Sequence, residues 1–167
     1  MVAVNGSTAV IKVTGRASFT LSVEFKRLVT ELRDRGYQRF VIELSECVTM
    51  DSTFLGVLAG MALSLNNGNG PCLNLLNANQ RVMDLFENLG IARLFTNIQG
   101  PEPVSGEFVP RPDASNGEAN KAEVSRTCLE AHETLIACNP ENLSKFKEVT
   151  QFLAEDLRRL TSKAETH

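Results

Sequence analysis

The sequence predicts an α/β protein: a mixed sheet of four to five strands, covered by helices mainly on one face, with a C-terminal helical hairpin. Three observations predict it. Short β-rich runs alternate with amphipathic stretches up to about residue 100. A Pro- and Gly-rich segment then interrupts the pattern over 101–120. Two apolar seams follow within 121–163, separated by Asn139-Pro140. Strands alternating with amphipathic helices fold as a sheet covered by helices. Crossover helices return the chain to the same edge, so the middle strands should be parallel.

The elements follow in order. "AVIKVTG", Ala9 to Gly15, is a strand ended by glycine. Leu21, Phe25, Leu28, Val29 and Leu32 recur at helical spacing, and Gly36 stops that helix. "RFVIEL", Arg39 to Leu44, is a short buried strand. Ser52 to about Asn66 is a helix that runs into "NNGNGP". "CLNLL", Cys72 to Leu76, alternates as a strand should. Val82, Leu85, Phe86 and Leu89 make a third helical stripe, stopped by Gly90. "RLFTNI", Arg93 to Ile98, is the final strand.

The segment from Gly100 to Asn120 holds four of the six prolines, too many for a regular element, so it is a linker. Its "EFVP" is expected to lie against the domain as an extended strand. Beyond it Val124, Cys128, Ala131, Leu135 and Cys138 form one heptad seam. Leu143, Phe146, Thr150, Leu153, Leu157 and Leu160 form the other. The break between them makes an antiparallel hairpin. Leu129, Ile136 and Phe152 fall off the strict seams, so the hairpin needs further cover. That cover is either the preceding domain or a second copy, which leaves self-association through residues 121–163 as an option.

Composition narrows the function. The chain has 43% hydrophobic and 22% charged residues and a net charge of −3. This is ordinary for a soluble domain and gives no basic footprint for nucleic acid. No apolar run is long enough to span a bilayer, and no signal peptide is evident at the start. Cys47, Cys72, Cys128 and Cys138 form no CxxC pair, and only His132 and His167 could join them. Neither a metal site nor a cofactor is expected, and the thiols suit a reducing cytoplasm. Cys47 or His132 as the centre of a small thiol-dependent enzyme is an outside alternative, since neither has a catalytic partner nearby in sequence. The charges of Glu155, Asp156, Arg158 and Arg159 are a solvated helix face.

The stretch with most chemistry is "SECVTMDSTFLGVLAGM", Ser45 to Met61. An acid and two hydroxyls, Asp51, Ser52 and Thr53, stand where an apolar helix begins. They are either a helix cap or a displayed site. At helical spacing Phe54, Val57, Leu58, Met61 and Leu65 share one side, the core. Ser52, Gly56, Ala59, Gly60 and Leu63 fall near the other. Two glycines in a helix cost about 1 kcal/mol each relative to alanine. Close approach of another backbone would compensate, from a partner or from within the protein.

The element order and "VIELSECVTMDSTFLGVL" resemble the STAS domain, the sulfate-transporter and anti-sigma-factor-antagonist module. "LGIARLF" is similar to that family's closing segment. The resemblance covers residues 1–100 and stops before the linker and hairpin. It implies a non-enzymatic anti-sigma-factor antagonist. Such a protein binds a serine/threonine kinase that is itself the anti-sigma factor, and so releases a sigma factor. The kinase would modify Ser52, with Thr53 as the alternative acceptor, and a phosphatase would reverse the change. Phosphate at a helix start meets free amides and the positive helix end, and adds nearly two negative charges beside Asp51. The binding face implied is Asp51, Ser52, Thr53, Gly56, Ala59, Gly60 and Leu63. Many antagonists carry glycine where this chain has Phe54. An alternative within the family is a scaffold of a signalling complex that is never phosphorylated.

Overall fold

The computed structural model describes residues 1–66, 68, 72–101, 108–109 and 120–166. A five-stranded mixed sheet forms the centre, as the sequence predicts. Its strands are β1 (Val2–Asn5), β2 (Thr8–Lys12), β4 (Arg39–Glu43), β6 (Leu73–Leu76) and β7 (Thr96–Ile98), in that spatial order. β1 and β2 form an antiparallel hairpin, and every other neighbour in the sheet is parallel. A separate two-stranded parallel ribbon pairs β3 (Gly15–Ala17) with β5 (Cys47–Met50).

Three helices cover one face: α1 (Phe19–Asp34), α2 (Ser52–Leu65) and α3 (Gln80–Asn88). Ala9, Ile11, Phe40, Ile42, Leu73 and Leu75 point from the strands into that core, following the two-residue period of a pleated sheet. Val10, Val41 and Leu76 point the other way, where Phe108 packs on them. Val109 bonds to Val2 in both directions, N–H to carbonyl at 3.0 and 3.1 Å. The "EFVP" segment therefore meets the sheet edge through its two described residues; the linker residues 102–107 and 110–119 lie outside the described set.

Several elements differ from the sequence reading. β1, β3 and β5 are not expected from the sequence pattern, and the first expected strand stops at Lys12, so that Gly15, expected to end it, opens β3 instead. "RLFTNI" divides into a 3-10 turn, Ala92–Leu94, and the short strand β7. The helix stops hold: Gly36 has φ +97, the left-handed geometry that only glycine adopts cheaply, and its N–H closes onto the Arg33 carbonyl at 2.9 Å.

The C-terminal pair is α4 (Lys121–Cys138) and α5 (Asn142–Glu165). Ser125 Oγ donates to Asp156 at 3.1 Å, and the His132 and Phe146 rings meet edge to face at 4.9 Å, so the two helices hold each other. The hairpin does not stand free. α4 lies between α5 and the domain, with Ala131 3% and Leu135 0% exposed inside the main core. α5 lies outside it, and Asn142 is its one fully buried residue among those described.

Candidate functional site

The ribbon of β3 and β5 places the site. Its strands end side by side, so α1 and α2 begin next to each other. Asp51 joins the two starts. One carboxylate oxygen accepts from Phe54 N–H at 2.8 Å, the N-cap bond of α2. The other accepts from Phe19 N–H at 2.6 Å, at the start of α1. Two helix ends thus share one carboxylate, which the positive ends of both helices favour.

Ser52 is the first residue of α2 and is half-buried. Its hydroxyl lies 2.9 Å from His132 Nε2, on α4. The other ring nitrogen, Nδ1, is 2.7 Å from the Cys128 carbonyl, which can only accept. Nδ1 therefore carries the proton, and in the neutral ring Nε2 accepts from the Ser52 hydroxyl. Thr53 is buried, and its hydroxyl donates to Cys128 Sγ at 3.7 Å. Burial pushes the Cys128 thiol pKa up; the Thr53 bond offsets part of this, and the Asp51 charge adds to it. Phe54 turns inward, fully buried, with its ring 5.0 Å from that of Phe25. It therefore takes no part in the surface near Ser52.

The small-residue face of α2 is covered by this protein's own chain. A Cβ on Gly56 would stand 2.4 Å from the Ala131 carbonyl oxygen, so the two backbones touch. Ala59 is 0% exposed. At Gly60 the fit is looser, with the nearest atoms on Thr134 at 3.8 Å. Leu63 is 49% exposed and remains at the surface. Of the residues singled out by sequence, Ser52, Thr53 and Gly56 are brought directly against α4; Asp51 instead ties α1 to α2.

Ionic contacts line the edge of this junction. Arg27 on α1 forms a two-pronged bond with Glu123 on α4. Lys26 Nζ reaches Glu130 at 2.6 Å. At the far end Asn142 Nδ2 donates to the Leu89 and Leu135 carbonyls at 2.9 and 2.8 Å. Arg93 donates to the Cys138 carbonyl, and Lys145 to that of Asn88.

A serine beside a histidine invites comparison with a nucleophile and its base. The usual third member is absent here: a backbone carbonyl, not a carboxylate, orients His132. The groove along α1, α2 and α4, about 310 Å³, is lined by neither Ser52 nor His132. The pair acts as an interlock between α2 and the hairpin. Cys47 is buried, its thiol bonds to the Thr49 carbonyl at 3.6 Å, and burial raises its pKa, the reverse of an activated thiolate. No cluster of metal-ligating side chains occurs among the described residues, and no described helix is long and apolar enough to cross a membrane.

The family model of the STAS domain matches residues 1–102. The chain belongs to the STAS domain family. Anti-sigma-B factor antagonists from several Staphylococcus aureus strains, including NCTC 8325 and COL, are 30% identical over 92 residues. That match spans 55% of this chain and 84% of theirs. Among solved structures, the anti-sigma factor antagonist SpoIIAA in its unphosphorylated form superposes with a TM-score of 0.52 at 17% identity, covering 59% of this chain and 86% of that one. The Thermotoga maritima protein TM1081 gives 0.54 at 18% identity, covering 60% of this chain and 86% of that one. The STAS match ends before Lys121, so α4 and α5 are additions to the family domain.

Proposed function

We propose that this STAS protein is an anti-sigma-factor antagonist. It binds an anti-sigma factor of the serine/threonine kinase type through the start of α2, and phosphorylation of Ser52 weakens that binding. The observation that carries the reading is the place of Ser52. It is the first residue of α2, directly after a capping aspartate, in a domain that shares 30% identity with anti-sigma-B factor antagonists. A phosphate there would face the free amides of the helix start. Its charge would oppose a partner that docks on the neutral hydroxyl. Thr53 is the less accessible acceptor, being buried against Cys128. A phosphatase would restore binding, and the cell compartment would be the cytoplasm.

The test uses the serine-kinase anti-sigma proteins encoded in the same genome. Each is incubated with the full chain, ATP and magnesium, and the product is mapped by mass spectrometry. Modification at Ser52, and tighter binding by Ser52→Ala than by Ser52→Asp, is the expected result. Modification confined to residues outside 51–54 overturns the switch.

One observation favours a second reading, a scaffold that is never phosphorylated. The Ser52 hydroxyl is already engaged by His132, within the chain's own interface. Binding of an anti-sigma protein without any phosphate transfer would select it.

A further inference from the structure

The face of α2 that would meet an anti-sigma factor is the face on which α4 lies. Three contacts define this coincidence. His132 holds the hydroxyl proposed for phosphorylation. The Ala131 backbone fills the space that Gly56 leaves. Glu123 and Glu130 meet Arg27 and Lys26 on the flanking helix α1. We propose that this groove is a docking site for an acidic helix with a small residue at its point of contact. α4 fills it in cis, and a helix of the anti-sigma factor takes it in trans. This inference rests on the reading of Ser52 given above.

The chemistry of the occupant follows from the groove. Its floor is glycine and alanine, which admits a backbone but leaves no hole for a large side chain. Its rim, through Arg27 and Lys26, is basic. A helix that copies α4 must therefore place alanine, glycine or serine opposite Gly56, with one carboxylate at the position just before it and another about two turns earlier.

The same junction is built to part. Thr127 and His132 are buried polar residues of α4 beside α2, so the interface is less apolar than the core beneath the sheet. Polar interfaces between units of one chain exchange more readily than apolar ones. The two ion pairs are each at least three-tenths exposed, so they direct docking more than they hold it. A groove of about 310 Å³ remains along the seam near Gly60, so packing there is incomplete. Residues 110–120 connect the Val109 contact on the sheet edge to α4, and a segment of that length can span roughly 30 Å when extended. Ala131 and Leu135 oppose release, since opening exposes both. The open form is thus a minor population, and a partner's apparent affinity is reduced by that fraction.

The full chain supplies both arms of the test. Thr53→Cys places a second thiol beside Cys128, and its oxidation ties α4 to α2. Glu123→Lys with Glu130→Lys sets like charges against Arg27 and Lys26 and favours release. The anti-sigma kinase that the Ser52 experiment identifies is titrated against each. Oxidised Thr53→Cys should bind at least about tenfold more weakly than the same protein reduced, and the double reversal should bind several-fold more tightly than the wild type. Equal affinity of the oxidised and reduced forms overturns the proposal while leaving the anti-sigma reading intact. If no kinase binds any form, the anti-sigma reading falls, and a synthetic peptide copying Lys121–Cys138 decides the groove alone. Its binding to the double reversal but not to the oxidised lock supports the docking site; binding to neither overturns it.

Discussion

Ser52 and His132 stand 80 residues apart in sequence, and 2.9 Å separates the hydroxyl from Nε2. The bond joins a STAS domain to a hairpin that lies outside the family match. It satisfies a ring nitrogen that would otherwise be buried without a partner. Ser52→Ala should therefore cost about 1–3 kcal/mol, the range for leaving a buried polar atom unpaired. His132→Ala should cost more, because it also removes the ring contact with Phe146 and the bond to the Cys128 carbonyl. A double-mutant cycle by urea unfolding should show the two losses as less than additive. Strict additivity would mean that the bond is not formed in solution.

Asp51 caps two helices, so its substitutions should separate charge from geometry. Asp51→Ala leaves both Phe19 N–H and Phe54 N–H without their acceptor. Its cost should approach two caps, about 2 kcal/mol. Asp51→Asn keeps one oxygen and should lose roughly half as much. Thermal unfolding of the two variants checks the order, and an Asn variant as unstable as the Ala variant would show that charge, not the cap, is the cause.

The fold was legible where the pattern was long. α1, α2 and the strand "RFVIEL" stood out because several turns or a full apolar run repeat one signal. β3 and β5 did not: GRA has no apolar run and CVTM breaks the alternation that the equally short LNLL of β6 keeps. The start of α2 was legible because an acid and hydroxyls precede an apolar run. What covers its far face was not. That depends on α4, brought close only by the tertiary fold. One local hint existed: α2 is apolar on nearly every side, with Leu55, Ala59 and Ala62 buried besides the expected stripe. A helix apolar all round is buried on both sides. The heptad seam of α4 likewise marked Ala131 and Leu135 as contact positions but could not say that they join the core of the STAS domain, Ala131 against Gly56.

The thiols give the fold's stability a dependence on pH. Burial raises the pKa of Cys47, Cys128 and Cys138. A thiol raised in this way stays protonated to higher pH in the folded chain than in the unfolded one. Its stabilising effect is complete below the ordinary thiol value, about 8.5, and fades as the pH climbs toward the raised value. The melting temperature should therefore fall between about pH 7.5 and 9.5, and fall less in Cys128→Ala, which has lost one of these groups. Equal slopes in the two proteins would show that the Cys128 thiol ionises as freely in the folded chain as in the unfolded one.

The two glycines of α2 offer the sharpest contrast, because the same substitution has opposite expected signs. Glycine to alanine inside a helix is normally worth up to about 1 kcal/mol in favour of the helix. At Gly60 the added methyl meets only Thr134 side-chain atoms, at 3.8 and 3.9 Å, which is ordinary contact. Gly60→Ala should therefore be neutral or stabilising by up to about 1 kcal/mol. At Gly56 the methyl would meet the Ala131 carbonyl oxygen at 2.4 Å and its Cα at 2.8 Å. Backbone cannot rotate aside as a side chain does, so α4 must move as a body. Moving it strains the Ser52–His132 bond and the burial of Leu135 together. Gly56→Ala should then destabilise by about 1–3 kcal/mol, as overpacking does, despite the better helix former. The loss should concentrate in the hairpin. Amide exchange would rise along α4 and α5, while β4 and β6 keep their protection. A Gly56→Ala protein as stable as Gly60→Ala would place α4 farther from α2 than the structure does.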